Sequence, residues 1–111
     1  MVVYRGSNAQ ARFVVTRDRY PFSPLPSQRL YNHSPDGFAW GYGGSGPSQL
    51  ALALLLDVTR EENVAWIWYQ TFKCEVVAGW PIDGGWDITN AAIWAWLRHK
   101  DPHLEEVFPN L

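Results

Sequence analysis

The apolar positions near the start of the chain fall in two short stretches rich in β-branched and aromatic residues, residues 2–5 and 11–18. Such stretches are typical of strands, and the intervening residues 6–10 contain a glycine and an asparagine that suit a turn. The pattern therefore predicts a β-hairpin. On its second arm, Phe13 and Val15 lie on one face and Val14 and Thr16 on the other, and we expect one of the two faces to line the core.

The next segment, residues 19–28, contains three prolines, which fix φ and remove backbone hydrogen-bond donors. Regular strand pairing is disfavoured there, so we interpret the segment as a connector. Residues 29–32 and 38–42 then predict a second hairpin, because the Ser-Pro-Asp-Gly sequence at residues 34–37 matches a type I turn.

The second half of the chain has helical spacing. Pro47 suits a first helical position, and residues 50–56 are apolar on every side, so this helix is expected to be buried. Thr59 and Glu62 match a capping box that starts a second helix, and Thr89 is the predicted N-cap of a third. The predicted helices run from Pro47 to about Asp57, from Arg60 to Val77 or Ala78, and from the Thr89 cap to about Lys100. Their expected core stripes are Ala65, Trp68, Tyr69, Phe72 and Val76 on the second helix, and Ala92, Ile93, Trp96 and Leu97 on the third.

Strands followed by helices are the order typical of an α+β fold. We expect a small antiparallel sheet of three to five strands, from the N-terminal half, packed against three helices from the C-terminal half. A chain of 111 residues is long enough for one domain with its own core. Within this single domain we expect hairpins and the proline-rich connector over residues 1–45, helices over residues 46–100, and a tail over residues 101–111.

Composition narrows the class of protein. Apolar residues make up 47% of the chain and charged residues 18%, so the chain can collapse around a core. The single cysteine, Cys74, cannot form an intramolecular disulfide, which favours a cytoplasmic protein. The longest apolar run, residues 50–56, is far shorter than the about 20 residues that cross a bilayer, so no membrane segment is expected.

Charge is unevenly distributed along the chain. Residues 1–29 carry five arginines against one aspartate, whereas residues 30–111 carry four basic residues against ten acidic ones. We therefore expect a basic sheet end and an acidic helical end. The net charge of −2 offers no overall attraction to a polyanion, so direct nucleic-acid binding is not expected.

The glycine-rich segment before the first long helix has two interpretations. In one, the glycines let a strand and a helix approach closely, while Ser45 and Pro47 start the helix. In the other, free amides at the helix start bind a small anion, such as the phosphate of a nucleotide. The segment lacks the lysine that a P-loop requires. The expected anion-binding residues are Gly43, Gly44, Ser45, Gly46, Ser48, Arg5 and His33.

No combination of residues predicts a metal site or a catalytic centre. His99 and His103 have the spacing of two ligands on one helix, but Pro102 would interrupt the turn between them. His33 has no nucleophile spaced to it, and Cys74 falls in mid-helix rather than at a helix N-terminus, where reactive cysteines occur. We therefore expect no cofactor, no catalytic residue and a protein that is not an enzyme.

Tryptophan is unusually frequent in this chain, with seven in 111 residues, and its positions are the most informative feature of the composition. Trp66 and Trp94 lie off the core stripes of their helices, and Trp80 and Trp86 lie in the loop between those helices. If the four rings share a face, they form the kind of anchor patch found in protein interfaces. Alternatively, they fill a second layer of the core. The expected partner-binding residues are Trp66, Trp80, Trp86 and Trp94, with the acidic residues Glu105 and Glu106.

A long motif carries a family resemblance. It reads Asn-His-Ser-Pro-x-Gly-Phe-x-Trp-Gly-Tyr-x-Gly-Ser-Gly-Pro-x-Gln over residues 32–49, after a Tyr-Arg-Gly at residues 4–6. The chain resembles, to about Leu97, a family of short proteins from bacteria, plasmids and bacteriophages that is known only as a domain of unknown function. The resemblance implies no activity. It does imply a mobile-element setting, in which small proteins often inhibit host defences, as anti-CRISPR proteins do.

These observations together lead to one expectation and one alternative. We expect a non-enzymatic inhibitor or adaptor that binds a host or defence-system protein through an aromatic and acidic surface. The alternative is a small-ligand protein that binds a nucleotide or phosphate at the glycine-rich helix start.

Overall fold

The computed structural model describes residues 1–10 and 12–107. It has an α+β fold, as the order of strands and helices predicted. The strands are β1 (Val3–Ala9), β2 (Arg12–Arg17), β3 (Tyr20–Pro21) and β4 (Trp86–Thr89). The helices are α1 (Leu25–Leu30), α2 (Ser45–Thr59), α3 (Glu62–Glu75), α4 (Asn90–Lys100) and α5 (Leu104–Val107), with a 3-10 turn at Val77–Gly79.

The four strands form one antiparallel sheet in the order β3-β2-β1-β4. The first hairpin is confirmed, but β1 continues through residues 6–9, and the reversal comes at Gln10, where φ is 57°. Gly6 pairs with Val15 of β2 and Trp86 of β4, and the indole of Trp86 packs so closely over it that a Cβ atom would not fit. The fourth strand comes from the C-terminal half, from a segment that the sequence predicted as a loop.

The predicted second hairpin is wrong. Its first arm falls partly in α1, and residues 31–44, all of them described, contain neither strand nor helix. Pro24 caps α1 and a second proline lies in its first turn, where a missing N–H costs no helical hydrogen bond. The turn at residues 34–37 does form, with the amide of Gly37 donating to the carbonyl of Ser34 at 3.2 Å.

The buried central helix is confirmed as α2. All residues from 46 to 55 are buried, and its leucines share one core with Tyr4 of β1 and Val15 of β2. The helix begins at Ser45 and ends at Thr59, two residues beyond each predicted limit. Gly46 is required by close packing, because a Cβ atom there would lie 2.6 Å from the Cβ of Ala39.

The predicted capping box at the start of α3 is wrong. Thr59 is the last residue of α2, and its hydroxyl donates to the carbonyl of Leu55 at 2.8 Å and accepts from the amide of Glu61 at 3.1 Å. Arg60 then reverses the chain with φ of 57°, so α3 starts only at Glu62. The predicted core stripe of α3 is largely confirmed: Ala65, Tyr69 and Phe72 are buried, and Trp68 and Val76 are half-buried.

The third predicted helix is confirmed as α4. The hydroxyl of Thr89 accepts from the amide of Ala92 at 3.0 Å, as an N-cap does. Ile93 and Leu97 are buried as predicted, but Ala92 is exposed and Trp94 is buried, so the core face is rotated from the expected one. Of the predicted tail, Leu104 packs into the core from α5, and residues 108–111 lie outside the described part of the chain.

Candidate functional site

A single side chain of α2 organises the segment that follows α1. Gln49 is fully buried, and its Oε1 accepts from the amides of His33 at 2.7 Å and Ser34 at 3.0 Å. Its Nε2 donates to Ser27 Oγ at 2.9 Å and to the carbonyl of Tyr31 at 3.1 Å. All four hydrogen-bonding positions of this amide are therefore used. Residues 31–34 are thus fixed to the most buried helix of the protein.

This anchoring places the His33 ring between two tyrosines. Its Nε2 lies 2.6 Å from the hydroxyl of Tyr69, and its ring centroid lies 4.4 Å from that of Tyr31. Burial, and secondarily the charge of Lys73, lowers the pKa of His33 below its ordinary value. The neutral imidazole is therefore favoured at pH 7, as one member of a packed group of rings.

Trp66 of α3 completes the group. Its ring centroid lies 5.5 Å from that of Tyr31 and 5.4 Å from that of Tyr69. Tyr69 is buried beneath, whereas Tyr31 keeps 50% and Trp66 keeps 46% of its surface accessible. The neighbouring Ile67 is 66% exposed. We refer to Tyr31, His33, Trp66 and Ile67 as the aromatic surface. Its rings are tilted against one another and lie over the buried Tyr69, so the patch can contact an apolar group.

The aromatic surface continues along α3 as an uncharged helix face. Residues spaced by three, four, seven and eleven positions lie on one side of a helix. On α3 this face, which we call the α3 stripe, consists of Asn63, Trp66, Ile67, Gln70 and Cys74, all exposed. Charged residues border its two ends, with Glu62 in the first turn and Lys73 in the last. The stripe is thus apolar at its centre, and residues of opposite charge, Glu62 and Lys73, lie beside its two ends.

The structure does not bring the four predicted tryptophans onto one face, so that prediction is wrong. Trp86 is 9% exposed and Trp94 is 5% exposed. Trp80 stacks on Trp86 with centroids 4.1 Å apart, and Trp86 meets the buried Trp40 edge to face. These rings extend the core, which was the alternative interpretation. Only Trp66 is available for a partner to the extent that was expected.

The acidic pair Glu105 and Glu106 lies on α5, which follows α3 at some distance in the chain and packs mainly against α4. Both residues are exposed. Glu105 Oε1 lies 3.7 Å from the Nε of Arg98, and Glu106 Oε2 lies 3.6 Å from the Nδ1 of His103. Exposed pairs of this kind contribute little to stability. A role for them in partner binding stays a prediction.

The glycine-rich corner is mainly a packing device. Gly46 and Ser48 are buried, and both the amide and the hydroxyl of Ser48 donate to the carbonyl of Gly44 at 3.1 Å. Arg5 lies instead on β1, opposite Asp87 of β4, and His33 belongs to the aromatic surface. A groove does run past Ser45 and Gly46, but its cation is Arg12 and it also contains Asp36. Anion binding by Gly43, Gly44 and Ser45 stays a prediction.

Most of the chain, including the site, matches a known protein family. One family model, described as a family of unknown function, matches residues 4–99. The chain belongs to this family, DUF6166. The match covers β1 through nearly all of α4, and so includes both Gln49 and the aromatic surface. No curated protein and no solved structure matches the chain.

The DUF6166 match agrees with the resemblance seen in the sequence, which placed its limit at about Leu97. Sequence reasoning missed Gln49, Tyr31 and Tyr69 as members of the site. Gln49 stands at the end of the motif over residues 32–49, and a glutamine inside an apolar helix start was the one available signal.

Within residues 1–10 and 12–107, no three histidine, cysteine or acidic side chains come together as a metal site would require. In the same residues, no helix is long and apolar enough to span a bilayer.

Proposed function

We propose that this protein is a non-enzymatic binding protein whose aromatic surface docks on another protein. The observation that carries the proposal is the pair of half-exposed rings, Tyr31 and Trp66, packed against each other over a buried base. Tryptophan and tyrosine in such positions are the residues that most often dominate binding energy in protein interfaces. We place this binding in the cytoplasm, in keeping with the single cysteine.

Rigidity supports the proposal. Association costs free energy because interface side chains and loops must be ordered. Here the backbone of residues 31–34 is already held by Gln49, and the Trp66 ring already contacts Tyr31 and Tyr69. A partner therefore meets a surface that loses little conformational freedom on binding.

The charges beside the α3 stripe indicate the chemistry of the partner. The stripe is uncharged, with Glu62 at one end and Lys73 at the other. A helix of the partner that lies antiparallel to α3 would be complementary if it carried an apolar stripe, a basic residue near Glu62 and an acidic residue near Lys73. We propose such an amphipathic helix as the docking segment.

The narrower role rests on the family resemblance alone. In the phage and plasmid setting that the motif implies, a small protein that covers a surface of a host or defence-system protein would act as an inhibitor, or as an adaptor if it joins two proteins. The docking surface supplies the binding that either role needs.

Site-specific photocrosslinking tests the docking surface. A benzophenone amino acid is placed at Ile67 and, as a control, at Tyr20, which is 76% exposed on the edge strand β3. The protein is expressed in the cells from which the gene comes. We expect a covalent adduct with a specific protein from position 67 and none with that protein from position 20. Equal labelling from both positions, or an adduct only with a second copy of the chain, would contradict the proposal.

The adduct then identifies a partner for a direct binding measurement. We expect Trp66→Ala to weaken binding of the purified partner by about 30-fold, which corresponds to about 2 kcal/mol for an anchor tryptophan. Tyr20→Ala is the matched control and should bind as the unmodified protein does. Unchanged binding by Trp66→Ala would remove the aromatic surface from the interface.

A further inference from the structure

A cavity of about 290 Å³ lies on another part of the molecule, between α1, the C-terminal end of α2 and the start of α3. Its volume is at the lower end of the range of small-molecule sites. Apolar and charged side chains both line it. They include Phe22, Ala53, Leu56, Asp57, Arg60 and Glu62.

Asp57 is held rigidly at the wall of this cavity. Its Oδ2 accepts from the hydroxyl of Tyr4 on β1 and from the Nε of Arg17 on β2, the latter at 2.8 Å. Burial raises the pKa of Tyr4, so the phenol stays protonated and acts as a donor to Asp57. The second oxygen, Oδ1, makes no hydrogen bond with any described residue. One half of the carboxylate is thus fixed, and the other half is available.

Arg60 stands at the C-terminal end of α2 with φ of 57°, in the left-handed region, where glycine is the common residue. Gln10, Asp18 and Arg19 also have positive φ, so the backbone by itself does not single out Arg60. Among the described residues, the guanidinium of Arg60 has no ion-pair partner, although Asp57 and Glu62 line the same cavity.

The mixed charges limit the ligands that fit. A simple anion at Arg60 would be repelled by Glu62 and, less strongly, by Asp57, whose charge Arg17 partly compensates. A simple cation would be repelled by Arg60. A ligand that carries both charges satisfies both. Phe22 and Leu56 supply an apolar wall beside these charges. The hydroxyl of Ser27 is already bonded to Pro24 and Gln49.

We propose that this cavity binds a small zwitterion with an apolar side chain, of the class of the free apolar α-amino acids. The carboxylate of the ligand pairs with the guanidinium of Arg60, its ammonium group donates to Oδ1 of Asp57, and its side chain packs against Phe22 and Leu56. Glu62 borders both this cavity and the α3 stripe, but the pairing proposed here does not use Glu62, so the inference does not rest on the docking surface.

Three probes of similar shape separate the contributions of the two charges. L-leucine carries both charges, L-leucinamide lacks the carboxylate, and 4-methylpentanoate lacks the amine. Each is titrated into the whole ¹⁵N-labelled protein and followed by amide chemical shifts. We expect saturable shifts around Asp57 and Arg60 with L-leucine, and at least tenfold weaker binding of the other two probes. No saturable shift with L-leucine would overturn the proposal, and so would equal binding of either singly charged probe.

One substitution tests Arg60 without endangering the fold. Glycine accepts positive φ, so Arg60→Gly is expected to keep or raise the thermal unfolding midpoint while weakening L-leucine binding at least tenfold. Arg19→Gly is the matched control, because Arg19 also has positive φ, 75°, and does not line the cavity. It should bind L-leucine as the unmodified protein does. Arg60→Gly with unchanged affinity would show that Arg60 takes no part, and would overturn the assignment.

Discussion

The two longest helices pack against each other, yet they use their apolar residues in different ways. Residues 46–55 of α2 are all buried, so this helix has no exposed face along most of its length. In α3 only three residues are buried, and Trp66 and Ile67 remain exposed on the other side. Burial of a large apolar side chain stabilises a fold by about 1.5–3 kcal/mol, a gain that Ile67 largely forgoes.

In this protein α2 uses nearly all of its apolar residues for stability, whereas α3 leaves part of its apolar surface exposed. The apolar residues of α2 from Leu50 to Leu55 are accounted for by the core, in which all of them are buried. The exposed residues of α3 are held by contacts with a segment that α2 itself positions through Gln49. The buried helix therefore supports the fold and also shapes the surface of its neighbour.

The largest expected difference in the free energy of unfolding is between truncation of a buried leucine and truncation of an exposed isoleucine. Leu54→Ala should lower the free energy of unfolding by about 3 kcal/mol, since it leaves a cavity in the core. Ile67→Ala should change it by less than about 0.5 kcal/mol. Urea unfolding of both variants, with equal slopes, measures the contrast. A comparable loss in Ile67→Ala would mean that α3 is more deeply packed than its exposure indicates.

The next effect concerns the link between the two helices. Gln49→Met keeps a similar side-chain volume but leaves the amides of His33 and Ser34 and the carbonyl of Tyr31 without their partner. We expect a loss of about 2 kcal/mol in the free energy of unfolding, because buried polar groups without partners are costly. The difference in tryptophan fluorescence between the protein and its Trp66→Phe variant, which isolates Trp66 among the seven tryptophans, should also change as the aromatic surface loosens. Full stability in this variant would contradict the anchoring role of Gln49.

A smaller effect distinguishes two glycines at the start of α2. Gly46→Ala should destabilise the protein by about 1–3 kcal/mol, because its Cβ would lie 2.6 Å from the Cβ of Ala39. Gly43→Ala has nothing within 4 Å of the new atom. We expect it to be neutral or to stabilise by up to about 1 kcal/mol. Thermal unfolding compares them, and equal destabilisation by both would contradict packing as the reason for Gly46.

The smallest effect is a pH dependence at the aromatic surface. The pKa of His33 is lowered in the folded state, so the unfolded state binds the proton more readily and stability rises with pH. Stability should therefore be lost as the pH falls from about 6.5 through the folded pKa. His33→Gln should flatten this part of the profile of urea midpoint against pH. An identical profile in the variant would assign the dependence to other groups.

Several elements were predictable because their signals are local. The first hairpin, the buried helix α2, the core stripe of α3 and the Thr89 cap all follow from residues within a few positions of one another. Errors arose where distant residues decide the outcome. The strand at Gly6 pairs with the distant Trp86 of β4, and the irregular segment that replaced the second hairpin is bonded to Gln49.

By itself the sequence determined the fold class, the buried helix and the family, because apolar periodicity and a continuous motif are properties of neighbouring residues. Only the tertiary structure decided which tryptophans are buried. It alone placed Trp66 beside Tyr31 and His33. The physical reason is that a helical period defines a face relative to its own axis. Which other element covers that face depends on how the sheet and helices pack together.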